Sequence, residues 1–291
     1  MPRRRRPGRA APPPELRQAG LSPRKALGQH FLISGRVLRR IADAADLTPE
    51  MPIIEIGPGL GGLTAELSAR AGRVIAVELD EALAEYLRRR FADTNVLVLQ
   101  GDALAIDPGE ALAQAGAAPP YVAAGNLPYY AAQPLLRRFL EAQPPPERLV
   151  VMVQAEVAES IVAQPGELSL LGVSVQLYGA PRLLFRVPPS AFYPPPKVRS
   201  AVVRIDVSPG LRADVPDVEA FFRVVRAGFS TKRKQLRNAL ANGLGIAPVA
   251  AADLLAAAGI EPTLRAQALS LAQWATLTRA WLAAGRPEGE R

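Results

Sequence analysis

The chain has 291 residues, 49% of them hydrophobic, enough to bury one large core or two modest ones. It has no cysteine, which excludes disulfides and thiolate metal sites and fits a reducing compartment, and one histidine, His30, which argues against a His-based metal centre or a Ser-His-Asp triad. The formal charge is +8, and no uninterrupted apolar run reaches membrane-spanning length, so a soluble protein is expected.

The opening "MPRRRRPGRAAPPPELRQAG", residues 1–20, is rich in Arg and Pro and has no apolar periodicity. It is predicted to be a disordered basic tail that adds nonspecific phosphate attraction. It lacks the apolar core of a secretory signal, and its prolines argue against the amphipathic helix of a transit peptide. From about residue 37, strand and helix alternate. "RVLRRIADAADL" has helical spacing, "PIIEIG" reads as a buried strand and "LGGLTAELSARA" as a helix. "RVIAVELD", "EALAEYLRRRFA" and "NVLVLQGDAL" repeat strand, helix, strand; "YVAAGNLPYY" is a strand running into a turn, followed by the helix "AAQPLLRRFLEA". "RLVVMVQAEVAESIVA" begins as a strand and turns helical, and the stretch to residue 207 supplies further helix and strand. Apolar strands separated by amphipathic helices specify a mainly parallel, doubly wound α/β sheet. After about residue 208 the strand signals stop, and "VEAFFRVVRAGFSTKRKQLRNALANGL", "PVAAADLLAAAG" and "SLAQWATLTRAWLAAG" all read as helices. Ser270 and Gln273 are spaced as a capping box, and Gly285 suits the last helix's end. The predicted organisation is a catalytic domain over 21–207 and a small all-helical domain over 208–291.

Charge is sorted along this plan. Residues 41–119 hold thirteen acids against five Lys/Arg, whereas 21–40, 181–205 and 221–238 hold five, five and six Lys/Arg with no acid. Basic blocks around an acidic segment are the footprint of a nucleic-acid partner.

"IIEIGPGLGGLTAEL" is strand, glycine turn, helix, with Gly57, Gly59 and Gly61 alternating so that the backbone can approach a ligand closely. Glu55 completes an E-x-G-x-G pattern. Glu78 ends the next strand, where a carboxylate can accept both ribose hydroxyls, and Asp102 ends the third, where it can accept from an adenine amine. NAD and S-adenosylmethionine both remain open. The acidic lobe and the lack of an acid/base pair for hydride chemistry favour the sulfonium cofactor. "GNLPYY" ends the fourth strand at the same sheet edge. There Asn126 offers an amide oxygen, Leu127 an exposed carbonyl before Pro128, and Tyr129 a ring face. Two acceptors beside a stacking surface match the exocyclic amine of a flat base.

Over nearly its whole length after residue 20 the chain resembles the KsgA-type rRNA adenine dimethyltransferases. The likeness rests on "KALGQHFL", "EIGPGLGGLT", "VELD", "GDAL", "GNLPYY" and "FYPPPKVRSAVV", in that order, and on the basic helix "FSTKRKQLRNAL". The resemblance implies a Rossmann-like S-adenosylmethionine-dependent methyltransferase fold with a helical C-terminal, RNA-binding domain. It implies that His30 and Leu32 close over the cofactor, Gly57 lines its loop, Glu78 holds the ribose, Asp102 contacts the adenine, and Asn126 touches cofactor and target. Phe192 would stack on the target adenine opposite Tyr129. Lys197 and Arg199 would lie near phosphate, as would Lys232, Arg233, Lys234 and Arg237 on the basic helix. The implied reaction is dimethylation of two adjacent adenosines near the 3′ end of small-subunit rRNA, by a cytoplasmic monomer. Rivals are a large-subunit resistance-type methyltransferase, a non-catalytic nucleic-acid-binding relative and, third, an NAD oxidoreductase. The stretch "ELSLLGVSV" departs from the family's usual Tyr-Gly pair, which bears on local loop contacts.

Overall fold

The apolar strands assemble into a seven-stranded sheet. In the computed structural model, which describes residues 12–18, 20–24 and 28–286, the first five strands are β2 (Pro52–Ile56), β3 (Arg73–Glu78), β4 (Val96–Gln100), β5 (Val122–Asn126) and β6 (Arg148–Gln154). A two-residue strand, β1 (Phe31–Leu32), precedes them. With β7 (Gly179–Val187) and β9 (Ser200–Val207) the sheet order is β4-β3-β2-β5-β6-β9-β7, and β2 to β6 pair in parallel. A separate two-stranded ribbon joins β1 to β8 (Phe192–Tyr193), antiparallel, with Phe31 opposite Tyr193 and Leu32 opposite Phe192.

The covering helices of the parallel region are α2 (Gly35–Ala44), α3 (Gly62–Ser68), α4 (Glu81–Arg90), α5 (Pro108–Gln114) and α6 (Ala132–Leu140). The sequence signalled all but α5, whose Ala-rich turn is short and starts at Pro108 behind the Asp107 cap. Strands β2, β3, β5 and β6 are almost continuously buried because helices cover both faces of such a sheet, whereas β4, at the edge, buries only Val98. Ile53, Val74, Val122, Val150 and Met152 meet Ile41 of α2 and Leu67 of α3 in the core.

The chain leaves β2 through β3 and β4 toward one edge, then returns to lay β5 on the other side of β2. The switch point therefore falls between the ends of β2 and β5, where doubly wound sheets open a crevice. Gly125 is the price of that adjacency: a Cβ on it would run into the Ile56 carbonyl oxygen.

Compact units are a first one running to Ala158 and resumed over Leu183–Ile205, and a second comprising Glu159–Arg182 and Asp206–Arg291. The sequence placed the boundary at 207 and left 159–182 in the first domain. Those residues belong with the helices because α8 (Leu170–Tyr178) buries Val173 and Leu177 in the same core as Phe221 and Trp274. The "ELSLLGVSV" stretch builds the start of α8, with Ser169 Oγ accepting the Gly172 N–H at 3.0 Å.

The second unit also contains α9 (Val218–Phe229), α10 (Leu236–Leu244), α11 (Pro248–Ala257) and α12 (Leu271–Ala283). The capping box at Ser270 and Gln273 is present. Past α12, Gly285 takes φ 78° and the N–H groups of Gly285 and Arg286 reach Leu282 O and Trp281 O, a Schellman ending. The single helix expected over 218–244 is instead two, with a turn at 230–235. The break lets α10 fold back so closely that a Cβ on Gly243 would strike Ala227, and Leu236 becomes fully buried.

Residues 1–11 of the expected disordered tail lie outside the described residues. Residues 14–18 correct that expectation: Pro14–Gln18 is a helical turn, α1, whose Leu16 is buried with Phe31, Leu60 and Leu83. One well-placed leucine anchors a stretch whose composition alone reads as solvated.

Gly125→Ala should destabilise the first unit by about 1–3 kcal/mol through overpacking against Ile56. Gly210→Ala, with open space around it, should stay within about 0.5 kcal/mol of the parent. Urea unfolding of both variants checks the pair.

Candidate active site

At the switch point a cavity of ≈ 180 Å³ gathers the ends of β2, β3, β4 and β5 with the segment before β1. Gly57, Gly59 and Gly61 have φ of 66°, 57° and 75°, left-handed values that disfavour a side chain. The turn stays tight, and the Gly59 N–H donates to Glu78 Oε2 at 3.0 Å. Glu78 Oε1 accepts the Asp80 N–H at 2.9 Å. Burial pushes the Glu78 carboxyl up, and these two amides hold it back. Each oxygen keeps a second lone-pair direction for a hydroxyl.

Glu55 is 1% exposed and lines the cavity, and its Oε2 has no hydrogen-bond partner among the described residues. Burial pushes its carboxyl up to about 8; Thr64 on α3 pulls the other way, and the charge of Glu78 adds to the rise. Its signal, the acid of E-x-G-x-G, was visible in the sequence but had no role attached. Asp102 is exposed on the cavity wall and closes a turn, its Oδ1 accepting the Leu104 N–H at 2.9 Å. It therefore caps a turn while lining the cavity.

Asn126, Leu127 and Tyr129 line the same cavity as Gly57 and Glu78. Asn126 Nδ2 donates to the His30 carbonyl at 3.1 Å. A carbonyl can only accept, so the amide nitrogen must face His30, and Oδ1 is left on the opposite side of the carboxamide as an acceptor. His30 Nδ1 lies 2.6 Å from the Pro194 carbonyl, which by the same logic puts a proton on Nδ1. The His30 ring stacks on Tyr129 at 6.2 Å between centroids. The Tyr129 hydroxyl sits 2.7 Å from Ser200 Oγ, and burial raises its pKa while Ser200 opposes the rise. Leu32 is half-buried on the cavity wall.

Two expectations change. Phe192 does not line the cavity: pairing with Leu32 turns it into the first unit's core, where it is only 3% exposed, and no ring face is available for a base. Lys232, Arg233 and Lys234 are exposed on the turn between α9 and α10 rather than on a helix; Arg237 is exposed on α10. Lys197 and Arg199 are exposed on the bend leading into β9. Tyr130, which the sequence left without a role, is on the cavity wall and 64% exposed.

A doubly wound sheet with a glycine turn after its first parallel strand, acids at the ends of the next two and an Asn-Leu-Pro-Tyr turn at the switch point defines a Rossmann-like methyltransferase. Residues 20–281 match the family model described as ribosomal RNA adenine dimethylase. The chain belongs to that family. It is 50% identical over 258 residues to a protein of Dehalococcoides mccartyi named ribosomal RNA small subunit methyltransferase A, covering 88% of each chain. A Pelotomaculum thermopropionicum protein of the same name is 45% identical over 285 residues, covering 93% of this chain and 95% of that one. Among solved structures, the 23S rRNA methyltransferase ErmE aligns with TM-score 0.67 at 27% identity, covering 86% of this chain and 98% of that one. A Plasmodium falciparum dimethyladenosine transferase shares the fold at TM-score 0.73 and 24% identity, covering 88% and 98%.

The Glu55 carboxyl titrates near 4.5 when unfolded and near 8 when folded. Between those values the folded state holds the extra proton, so this group's contribution to stability declines as pH rises and levels off above about 8. Glu55→Gln removes that contribution. Its melting temperature relative to the parent should climb from about pH 5 to pH 8 and then stay flat; thermal melts across that range decide.

Proposed function

We propose that this protein uses S-adenosylmethionine to dimethylate the exocyclic amines of two adjacent adenosines in a hairpin loop near the 3′ end of small-subunit rRNA. It does so as a cytoplasmic monomer during small-subunit assembly. The observation that carries this reading is the Asn126 carboxamide, oriented by His30 at the edge of the glycine-lined cavity. Identity of 50% to a small-subunit relative, against 27% to the large-subunit ErmE, favours the small-subunit substrate. No single helix among the described residues is long and apolar enough to cross a membrane.

The residues present fit the cofactor. Gly57 and Gly59 keep the turn's backbone on the cavity wall, and a buried carboxyl oxygen without a partner among the described residues suits a cationic ligand. Glu78 would take the ribose hydroxyls, Asp102 the adenine amine, and Glu55 a positive group of the methionine end, with Gly57, His30 and Leu32 forming the walls. S-adenosylmethionine supplies a methyl group activated on a sulfonium, whose leaving group is a neutral thioether.

The protein must make a poor nucleophile reactive. The adenine amine shares its lone pair with the ring. Acceptance of its two hydrogens by Asn126 Oδ1 and the Leu127 carbonyl lets the nitrogen pyramidalise and aim that pair at the methyl. This is positioning and electrostatics in a water-poor site. No base is needed before attack, because the methylated ammonium sheds its proton afterwards. The monomethylated amine can rotate and react again. A base within a duplex is out of reach, so the target must be flipped or unpaired. Tyr129, held by Ser200 and backed by His30, offers the ring on which it rests. Lys197, Arg199, Lys232, Arg233, Lys234 and Arg237 supply exposed cations for phosphate.

Labelled S-adenosylmethionine incubated with undermethylated small subunits, followed by mapping of the modified bases, should place label on two neighbouring adenosines. Asn126→Ala should abolish transfer with rRNA affinity within about twofold of the parent; parent-like turnover would remove the turn from the mechanism. Replacing Lys232, Arg233 and Lys234 together should weaken rRNA binding and reduce the slope of log affinity against log salt by about 1 per lost phosphate contact. An unchanged slope would make that turn a solvated loop.

A further inference from the structure

The reaction needs somewhere for the nucleotide beside the target. Extracting one base breaks a stack on each side, and an unstacked neighbour loses its partner unless the protein offers a ring. Most aromatic rings near the cavity are already committed. Phe31 and Phe192 are buried. Tyr193 is half-buried against the Leu16 cluster. Tyr129 is held through its hydroxyl by Ser200 and across its ring by His30.

Tyr130 differs from all of these. It is 64% exposed, the most exposed of the large apolar and aromatic side chains around the cavity, and it directly follows the residue assigned to the target. Its ring lies beside Gly28, where a Cβ would sit 3.8 Å from the ring edge, so at this point it rests against backbone. An exposed tyrosine keeps a rigid, flat face at low entropic cost, since only two side-chain torsions have to be fixed. Lys197 and Arg199 are exposed on the segment that follows β8, the strand paired with β1 in the same unit, and offer charge for the backbone of the strand being bound.

We propose that Tyr130 is a positioning residue that stacks the nucleotide adjacent to the target adenine, holding the two-adenosine substrate splayed while the target occupies the Asn126 turn. This rests on the functional reading above and adds a specificity element to it: the ring selects for an intact base beside the one modified. Because the product of one round leaves an unmodified neighbour on Tyr130, a shift of one nucleotide would bring the second adenosine into the turn.

The test uses the full-length protein and reconstituted small subunits whose 3′ hairpin carries either natural nucleotides or an abasic site on the 5′ or the 3′ side of the target, in separate substrates. Tyr130→Ala should raise KM for the natural substrate about 5- to 140-fold, the range expected for one lost base stack, with the loss falling on KM rather than kcat. Tyr130→Phe should restore the parent value. The abasic site on one side should cost the parent enzyme a similar factor and cost Tyr130→Ala nothing further. Equal KM for parent and Tyr130→Ala, or losses that multiply on both abasic substrates, would overturn the assignment. A parent enzyme that methylates no adenosine would remove the functional reading itself, a result distinct from a working parent matched by its Tyr130→Ala variant.

Discussion

Everything at this site depends on β5 lying directly against β2. That single adjacency reverses the direction in which the sheet grows and leaves a crevice at the carboxyl ends of the two strands. Gly57 begins at the end of one strand and Asn126 terminates the other. The turn that shapes the cavity floor and the turn that carries the carboxamide are therefore neighbours by hydrogen-bonding geometry, whatever the intervening 60-odd residues of chain do. The contact is steric as much as bonded, because only a residue without Cβ can pass the Ile56 carbonyl at position 125. Packing and chemistry are fixed by the same strand pair.

The electrostatics follow from that burial. Three acids end near one cavity, yet they are in different states. Glu78 has two backbone amides to stabilise its charge. Asp102 is exposed and shares a turn amide. Glu55 is buried, with no partner for one oxygen among the described residues, and its proton affinity rises accordingly. A cavity lined by three carboxyl groups suits a cation more than a phosphate. This separates it physically from the anion-binding use of glycine turns in other doubly wound sheets.

Much of this was legible in the sequence. The strand-helix alternation, the glycine turn and the acids at successive strand ends are local patterns, and local patterns survive into structure. The Asn126 turn was legible because its residue types have few other reasons to occur together. What was not legible depended on partners distant in sequence. Phe192 carries an aromatic ring in a family-like segment, but pairing of β8 with β1 turns it inward. The Lys232–Lys234 run has helical composition on both flanks, and only the packing of α10 onto α9 puts a turn there. Leu16 stands alone in an Arg- and Pro-rich stretch, and its burial depends on Phe31, Leu60 and Leu83 being assembled. The grouping of 159–182 with the helices is likewise decided by the core those residues enter.

The ribbon of β1 and β8 has a temporal consequence. Leu32 pairs with Phe192, His30 with Pro194 and Tyr129 with Ser200, so three groups at the front of the chain wait for a segment made some 160 or 70 residues later. A chain emerging from the ribosome can close its parallel strands early, since domains tend to fold as units from the N-terminus during synthesis. The Tyr129 hydroxyl and the His30 ring nevertheless lack these partners until roughly the two-hundredth residue has left the exit tunnel. The ring and the loop that face the cavity are thereby fixed late, although both are made well before the segment that fixes them.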